Sequence, residues 1–174
     1  MESHGEGSCA GKRAVERRQA GIPMFFGTHE NKVDKKGRVS VPATFRAAIG
    51  TQNVPGIIIF PSWNSPGAYE GCRGDFLEQL SASMESMELF SETDVMADLV
   101  FGAAVQLQWD AEGRIVLPEK VMKRAGITER VAFVGRGLTF QLWDPDLFYA
   151  QEEERLQKAR ELKLTLRLKP QVPS

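Results

Sequence analysis

DKKGRVSVPATFRAAIG, residues 34–50, returns 76 positions later as DAEGRIVLPEKVMKRAG, residues 110–126. The match needs no gap. Asp34 and Asp110, Gly37 and Gly113, Arg38 and Arg114, Pro42 and Pro118, and Gly50 and Gly126 are identical pairs. Val39 with Ile115, Val41 with Leu117 and Phe45 with Val121 are conservative ones. Such self-similarity marks a chain built from two copies of one supersecondary unit. Asp followed three positions later by Gly suits a type I turn, and Gly tolerates the left-handed conformation that closes it with a bulge. Val39 and Val41 alternate with Arg38 and Ser40, so the strand after the turn has one apolar and one polar face. Pro42 then stands where a helix starts, and Gly50 where it stops. Each unit reads as strand, tight hairpin turn, strand, short helix.

Outward from the repeats, 54–61 is a strand candidate rich in Ile and Val, and 131–134 and 138–143 flank Gly135-Arg136-Gly137 as a hairpin. Residues 75–89 suit an acidic amphipathic helix. Ser91 with Asp94 resembles a capping box for a further helix to about Phe101, and Asp144-Pro145 opens a helix through Arg160. The Ser-, Pro-, Asn- and Gly-rich stretch 61–74 reads as loop. Residues 1–23 are polar and aperiodic and read as a disordered leader, with Met24 an alternative translation start; the tail after Lys169 reads as loose.

The chain has 174 residues, 42% hydrophobic and 26% charged, an ordinary globular balance. No apolar run is long enough to cross a bilayer, and the first residues lack a secretory apolar core. Cys9 and Cys72, far apart in sequence, read as free thiols of a reducing compartment, and His4 and His29 have no metal-ligand spacing. Net charge is −1, but its distribution is uneven. Residues 30–50 carry Lys32, Lys35, Lys36, Arg38 and Arg46 against Glu30 and Asp34. Residues 70–99 carry eight acidic side chains against Arg73. A basic and an acidic face on one molecule fit a protein that turns one side to a polyanion, and equally fit solvated acidic helices.

The segment Met24-Phe25-Phe26-Gly27, the two D-x-x-G-R turns at Asp34 and Asp110, and Val131-Ala132-Phe133-Val134-Gly135 leading to Phe140-Gln141-Leu142-Trp143 resemble the MraZ family, within the AbrB/SpoVT group of regulators. The resemblance runs from Met24 to about Glu154. The 23-residue leader and the longer, Gly-rich loop from Trp63 to Arg73 depart from the family pattern and leave both turns untouched. The resemblance implies an α+β fold, a swapped-hairpin β-barrel whose two pseudo-symmetric halves lie in a single chain, with peripheral helices. The halves would be 24–99 (core about 28–75) with the acidic helix, and 100–174 (core about 104–147) with the C-terminal helix. It further implies a cytoplasmic, nucleoid-associated transcription regulator that assembles into rings. Such a regulator binds short direct repeats of double-stranded DNA in the promoter of the division and cell-wall gene cluster.

Lys35 and Lys36 occupy the middle of the first turn, and Arg38 and Ser40 share the polar face of the following strand. Lysine supplies sequence-independent phosphate contacts, while arginine can also grip guanine through two hydrogen bonds. The expected DNA contacts are therefore Lys32, Lys35 and Lys36 on the backbone and Arg38 on a base edge or phosphate, with Ser40 beside it and Arg114 in the second repeat. Asp34, Gly37, Pro42, Asp110, Gly113 and Pro118 are the expected frame. Arg38 reads also as the cross-turn partner of Asp34, and Arg114 of Asp110; the two roles are compatible if the carboxylate orients the guanidinium. The second turn carries Ala111 and Glu112 in place of two lysines and should be a poorer polyanion contact. Trp109 and Trp143 lie in apolar strand patterns and are expected in the core. Two readings compete. An enzyme lacks a phosphate loop, an H-E-x-x-H motif or a nucleophile–base set, so no catalytic residue, metal, cofactor or small-molecule substrate is expected. A protein–protein or antitoxin-like module would work through the acidic helix around Glu78 and Glu85.

Overall fold

A computed structural model describes residues 24–50, 52, 55–85 and 91–166. The leader 1–23, Cys9, residues 86–89 of the expected acidic helix and the tail after Lys169 lie outside these residues. The fold is α+β. Among the described residues there are eight strands: β1 Thr28–Lys32, β2 Arg38–Ser40, β3 Ile57–Pro61, β4 Tyr69–Cys72, β5 Val105–Leu107, β6 Arg114–Val116, β7 Arg130–Gly135 and β8 Phe140–Trp143. The α-helices are α1 Ala43–Ile49, α2 Gly74–Glu85, α3 Ser91–Ala97, α4 Glu119–Ala125 and α5 Pro145–Glu161. The expected single helix from Ser91 to Phe101 is divided: α3 ends at Ala97 and a π-helical turn, Asp98–Gly102, continues it.

Six strands form an antiparallel sheet in the order β1-β7-β8-β4-β3-β5, and β2 and β6 form a separate two-stranded antiparallel ribbon. The hairpin expected within each repeat is therefore corrected. Both turns close, but their flanking strands pair elsewhere: β1 with β7, β2 with β6 and β5 with β3. Beyond the first turn, Asn31 donates its side-chain amide to the Ser40 carbonyl at 2.7 Å. The physical reason is burial. A hairpin with a three-residue arm cannot cover its own apolar face. Pairing β2 with β6 sets Val39 against Ile115, and both are essentially solvent-free.

A second correction concerns 61–74, expected as loop. It contains β4, an inner strand of the sheet, buried at every position. Gly71 lies against the Phe140 ring, where a Cβ would come within 2.4 Å of ring atoms. Glu70, counted in the sequence with the acidic face, is instead buried and accepts hydrogen bonds from the Ser62 hydroxyl (2.8 Å) and the Gln141 amide. Burial on both faces removes the polar alternation by which a strand is recognised.

The remaining expectations stand close to their positions. Pro42 and Pro118 are the residues immediately before α1 and α4, and Gly50 and Gly126 follow them with positive φ. Asp144 caps α5, its carboxylate accepting the Leu147 N–H at 3.0 Å. Arg130–Gly135 and Phe140–Trp143 make the expected hairpin, the second strand beginning two residues later than read. The main core joins both repeats. Phe45 of α1 packs edge-on against Phe25 (5.3 Å) and Phe133 (6.2 Å), and tilted against Phe140 (5.3 Å). Truncating such a hub to alanine costs about 3–5 kcal/mol. Trp143 is fully buried, with its indole N–H donating to the side-chain Oε1 of Gln141 at 2.9 Å; Trp109 packs partly buried against the core, and Trp63 stacks exposed on Phe60.

Candidate nucleic-acid interface

The two D-x-x-G-R turns are built alike. In the first, the Asp34 N–H donates to the Arg38 carbonyl (3.0 Å), and the Asp34 carbonyl accepts the Gly37 N–H (2.9 Å). Asp34 Oδ1 accepts the N–H groups of Lys36 (2.8 Å) and Arg38 (3.0 Å), and Oδ2 accepts Arg38 Nε at 2.7 Å. In the second, Asp110 makes the same bonds to Gly113, Glu112 and Arg114, with Arg114 Nε at 2.8 Å. Gly37 and Gly113 take φ of +76° and +74°, the left-handed region that side chains disfavour. The backbone N–H of the arginine, with its side chain and the N–H two residues after the aspartate, holds each aspartate carboxyl below its ordinary value against the opposing effect of desolvation.

β2 and β6 run antiparallel between the turns, with Arg38 opposite Val116, Val39 opposite Ile115 and Ser40 opposite Arg114. The Leu117 N–H reaches the Gly37 carbonyl (2.8 Å) and the Val41 N–H reaches that of Gly113 (3.0 Å), which puts the turns at opposite ends of the ribbon. Directly paired side chains share a face. Val39 and Ile115 thus point into the core, while Arg38, Val116, Ser40 and Arg114 line the outer face, an arginine at each end. Each turn also rests on the helix of the other repeat. Arg46 of α1 donates Nη1 to the Glu112 carbonyl at 3.0 Å and covers Gly113. At the equivalent place in the first turn, Met122 of α4 lies by Gly37.

Here the two ends diverge. In the first turn Asp34 engages only Nε of Arg38, and among the described residues Nη1 and Nη2 have no partner. Lys32, Lys35 and Lys36 are exposed and unpaired among the described residues. An open groove of about 670 Å³ separates this turn from α4, lined by Lys35, Lys36, Gly37, Met122, Lys123 and Ile127. In the second turn the Glu112 carboxylate binds Arg114 Nη2. The hydrogen bond that Arg114 donates to Asp110, with the surrounding carboxylates, raises the Arg114 pKa against the opposing effect of desolvation. The structure thus brings Lys35, Lys36 and Arg38 together at one end of the ribbon, while Ser40 ends β2 opposite Arg114. Arg114 stands at the other end, held by two carboxylates, and Lys32 lies on β1, outside the ribbon.

Arg46 was legible as a cation but not as a neighbour of the second turn. Its place depends on the docking of α1 across the repeats, and the only hint was its equivalence to the uncharged Met122. Other chemistry is thin. No group of His, Cys, Asp and Glu among the described residues could hold a metal ion, and none of their helices is long and apolar enough to cross a membrane. Cys72 is buried, which pushes its thiol up to about 12.

Residues 24–61 and 100–167, one turn in each segment, match the family described as "MraZ protein, putative antitoxin-like". The chain belongs to the MraZ family. Relatives named "Transcriptional regulator MraZ" are similar over most of its length. The one from Pelagibacter ubique is 46% identical over 126 residues, 72% of this chain and 81% of its own. That of Rickettsia rickettsii is 41% identical over 145 residues, covering 83% and 97%. That of Rickettsia bellii is 44% identical over 140 residues, covering 79% and 91%. Residues 62–99, which include β4, α2 and α3, fall between the two segments that match the MraZ family.

Proposed function

We propose that this chain is a DNA-binding transcription regulator and that the β2–β6 ribbon with the first turn is its reading surface. The observation that carries the reading is the grouping of Lys35, Lys36 and the unoccupied Nη edge of Arg38 at one ribbon end. A two-stranded ribbon fits a major groove, and an arginine there grips guanine through paired N–H groups. Lys35 and Lys36 serve phosphates, Ser40 continues the same outer face toward Arg114, and Arg114 is the weaker arginine. The names of the relatives, all transcriptional regulators, support the same reading.

The cross-repeat pairing of β2 with β6 supports reading the fold as a swapped-hairpin barrel with halves 24–99 and 100–174. The target is double-stranded DNA of the division and cell-wall gene-cluster promoter, in short direct repeats, met by a ring-like homo-oligomer in the cytoplasm at the nucleoid. Assembly has a physical purpose here. So few cations per chain give weak, salt-sensitive binding, which several linked copies raise through effective concentration.

The test is fluorescence anisotropy of the gene's own upstream DNA at two salt levels. The wild type is compared with Lys35→Ala/Lys36→Ala and Arg38→Ala, each checked for unchanged oligomer size. Salt-sensitive binding that prefers this DNA and is strongly weakened in Arg38→Ala is expected. Equal binding of upstream and random duplex by the intact oligomer would refute the promoter reading and favour a protein-binding module.

A further inference from the structure

Glu112 and Lys36 are equivalent positions of the two repeats, third in their D-x-x-G-R turns, and they carry opposite charge. We propose that Glu112 is a specificity-determining residue that closes the second turn to DNA, so that each chain presents one open D-x-x-G-R turn. The inference rests on the DNA-binding reading above.

The frames of the turns do not explain a difference between them, since their matching hydrogen bonds agree closely and their glycines share one conformation. The guanidinium edges do. With Nε on Asp34, Arg38 still offers Nη1 and Nη2 as an adjacent pair, the fork that takes a guanine edge or a phosphate. Arg114 has its Nε on Asp110 and its Nη2 on Glu112, which breaks that fork. Counting the turns' own residues, the charge follows: three cations against one carboxylate in the first and one against two in the second, where Arg46 of α1 adds a cation already engaged on the Glu112 carbonyl. Glu112 is fixed for this task through its backbone, its N–H on Asp110 Oδ1 (3.0 Å) and its carbonyl on Arg46 Nη1 (3.0 Å). Its side chain is mostly exposed, and an exposed ion pair adds little to stability. Removing its charge should therefore change what the turn binds and leave the fold as it is. A single open turn also gives the chain a direction on DNA, because the pseudo-equivalent end stays silent.

The experiment measures the affinity of the full-length oligomer for the upstream duplex and for a random duplex across a salt series, alongside thermal stability. Glu112→Gln is expected to bind the random duplex roughly three- to ten-fold tighter, with a log K against log salt slope steeper by about 1. Preference for the upstream DNA narrows and the melting temperature stays put. Glu112→Lys exceeds it, and Lys36→Glu falls below Lys36→Ala because it ties up Arg38 as well as removing a cation. Unchanged affinity, slope and preference in both Glu112 variants, with wild-type binding still dependent on Arg38, would overturn the inference and leave the DNA reading intact. Wild-type binding that Arg38→Ala does not weaken would remove both.

Discussion

The turns that begin at Asp34 and Asp110 close on the same hydrogen bonds, Arg38 Nε lying 2.7 Å and Arg114 Nε 2.8 Å from their aspartates. Yet Lys35-Lys36 stands in one and Ala111-Glu112 in the other. Behind them, a thioether from Met122 faces the first turn where the guanidinium of Arg46 covers the second. The residues identical in both repeats make the frame: the aspartate that collects N–H groups, the glycine with positive φ, the proline before the helix. Within the turns, the residues that differ are those facing outward, Lys35-Lys36 against Ala111-Glu112, while core pairs such as Val39 and Ile115 differ only in apolar shape. In a duplicated chain of this kind, identity between the halves marks what folding needs, and difference marks where the halves do separate work.

The sharpest way to break this comparison is to remove each arginine in turn. Arg38→Ala should weaken binding to the upstream duplex by about 10- to 100-fold, the value of one paired arginine–guanine contact. Arg114→Ala should change it less than about three-fold, since its fork is already occupied. Equal losses in anisotropy titrations would abolish the distinction between the turns.

Next in size is the frame itself. A methyl on Gly37 would lie 2.8 Å from the backbone oxygen of Leu117, which cannot move aside. One on Gly113 would strike the end of the Arg46 side chain, which can swing away. Both substitutions carry backbone strain of order 1–3 kcal/mol, and Gly37→Ala should stand at the upper end with Gly113→Ala at the lower. Urea denaturation of the two variants reads the order directly.

The lysine pair should act differently from Arg38. Lys35→Ala/Lys36→Ala is expected to flatten the salt slope by about 2 and to weaken upstream and random duplex alike. That amounts to roughly ten-fold between 50 and 200 mM salt. A loss confined to the upstream sequence would assign base reading to the lysines.

The smallest effect lies in acid. Asp34 and Asp110 are both depressed from an ordinary 3.8, so each favours the folded turn above that value, and its contribution fades as pH falls through the lower folded pKa. Stability followed from pH 5 to pH 2 should fall less steeply in Asp34→Asn than in wild type, and the same shift is expected for Asp110→Asn. A difference between the two variants would show that Lys35 and Lys36, or Glu112, reach into the frame.

Much of this was written in local sequence. The 76-residue offset, the turn chemistry of Asp34 and Gly37, the apolar face at Val39 and Val41, the helix limits at Pro42 and Gly50, and the cap at Asp144 are properties of neighbouring residues, and they appear in the fold where the sequence placed them. So does the contrast between Lys35-Lys36 and Ala111-Glu112. What sequence could not supply was the partner of each piece. That β2 pairs with β6, that β4 lies inside the sheet with Glu70 buried on Gln141, and that Arg46 rests on the second turn depend on contacts across tens of residues. Turn and cap preferences act over a few bonds and survive any surroundings. Strand pairing and burial are settled only when the apolar faces of both repeats compete for one core, and that competition exists only in the tertiary structure.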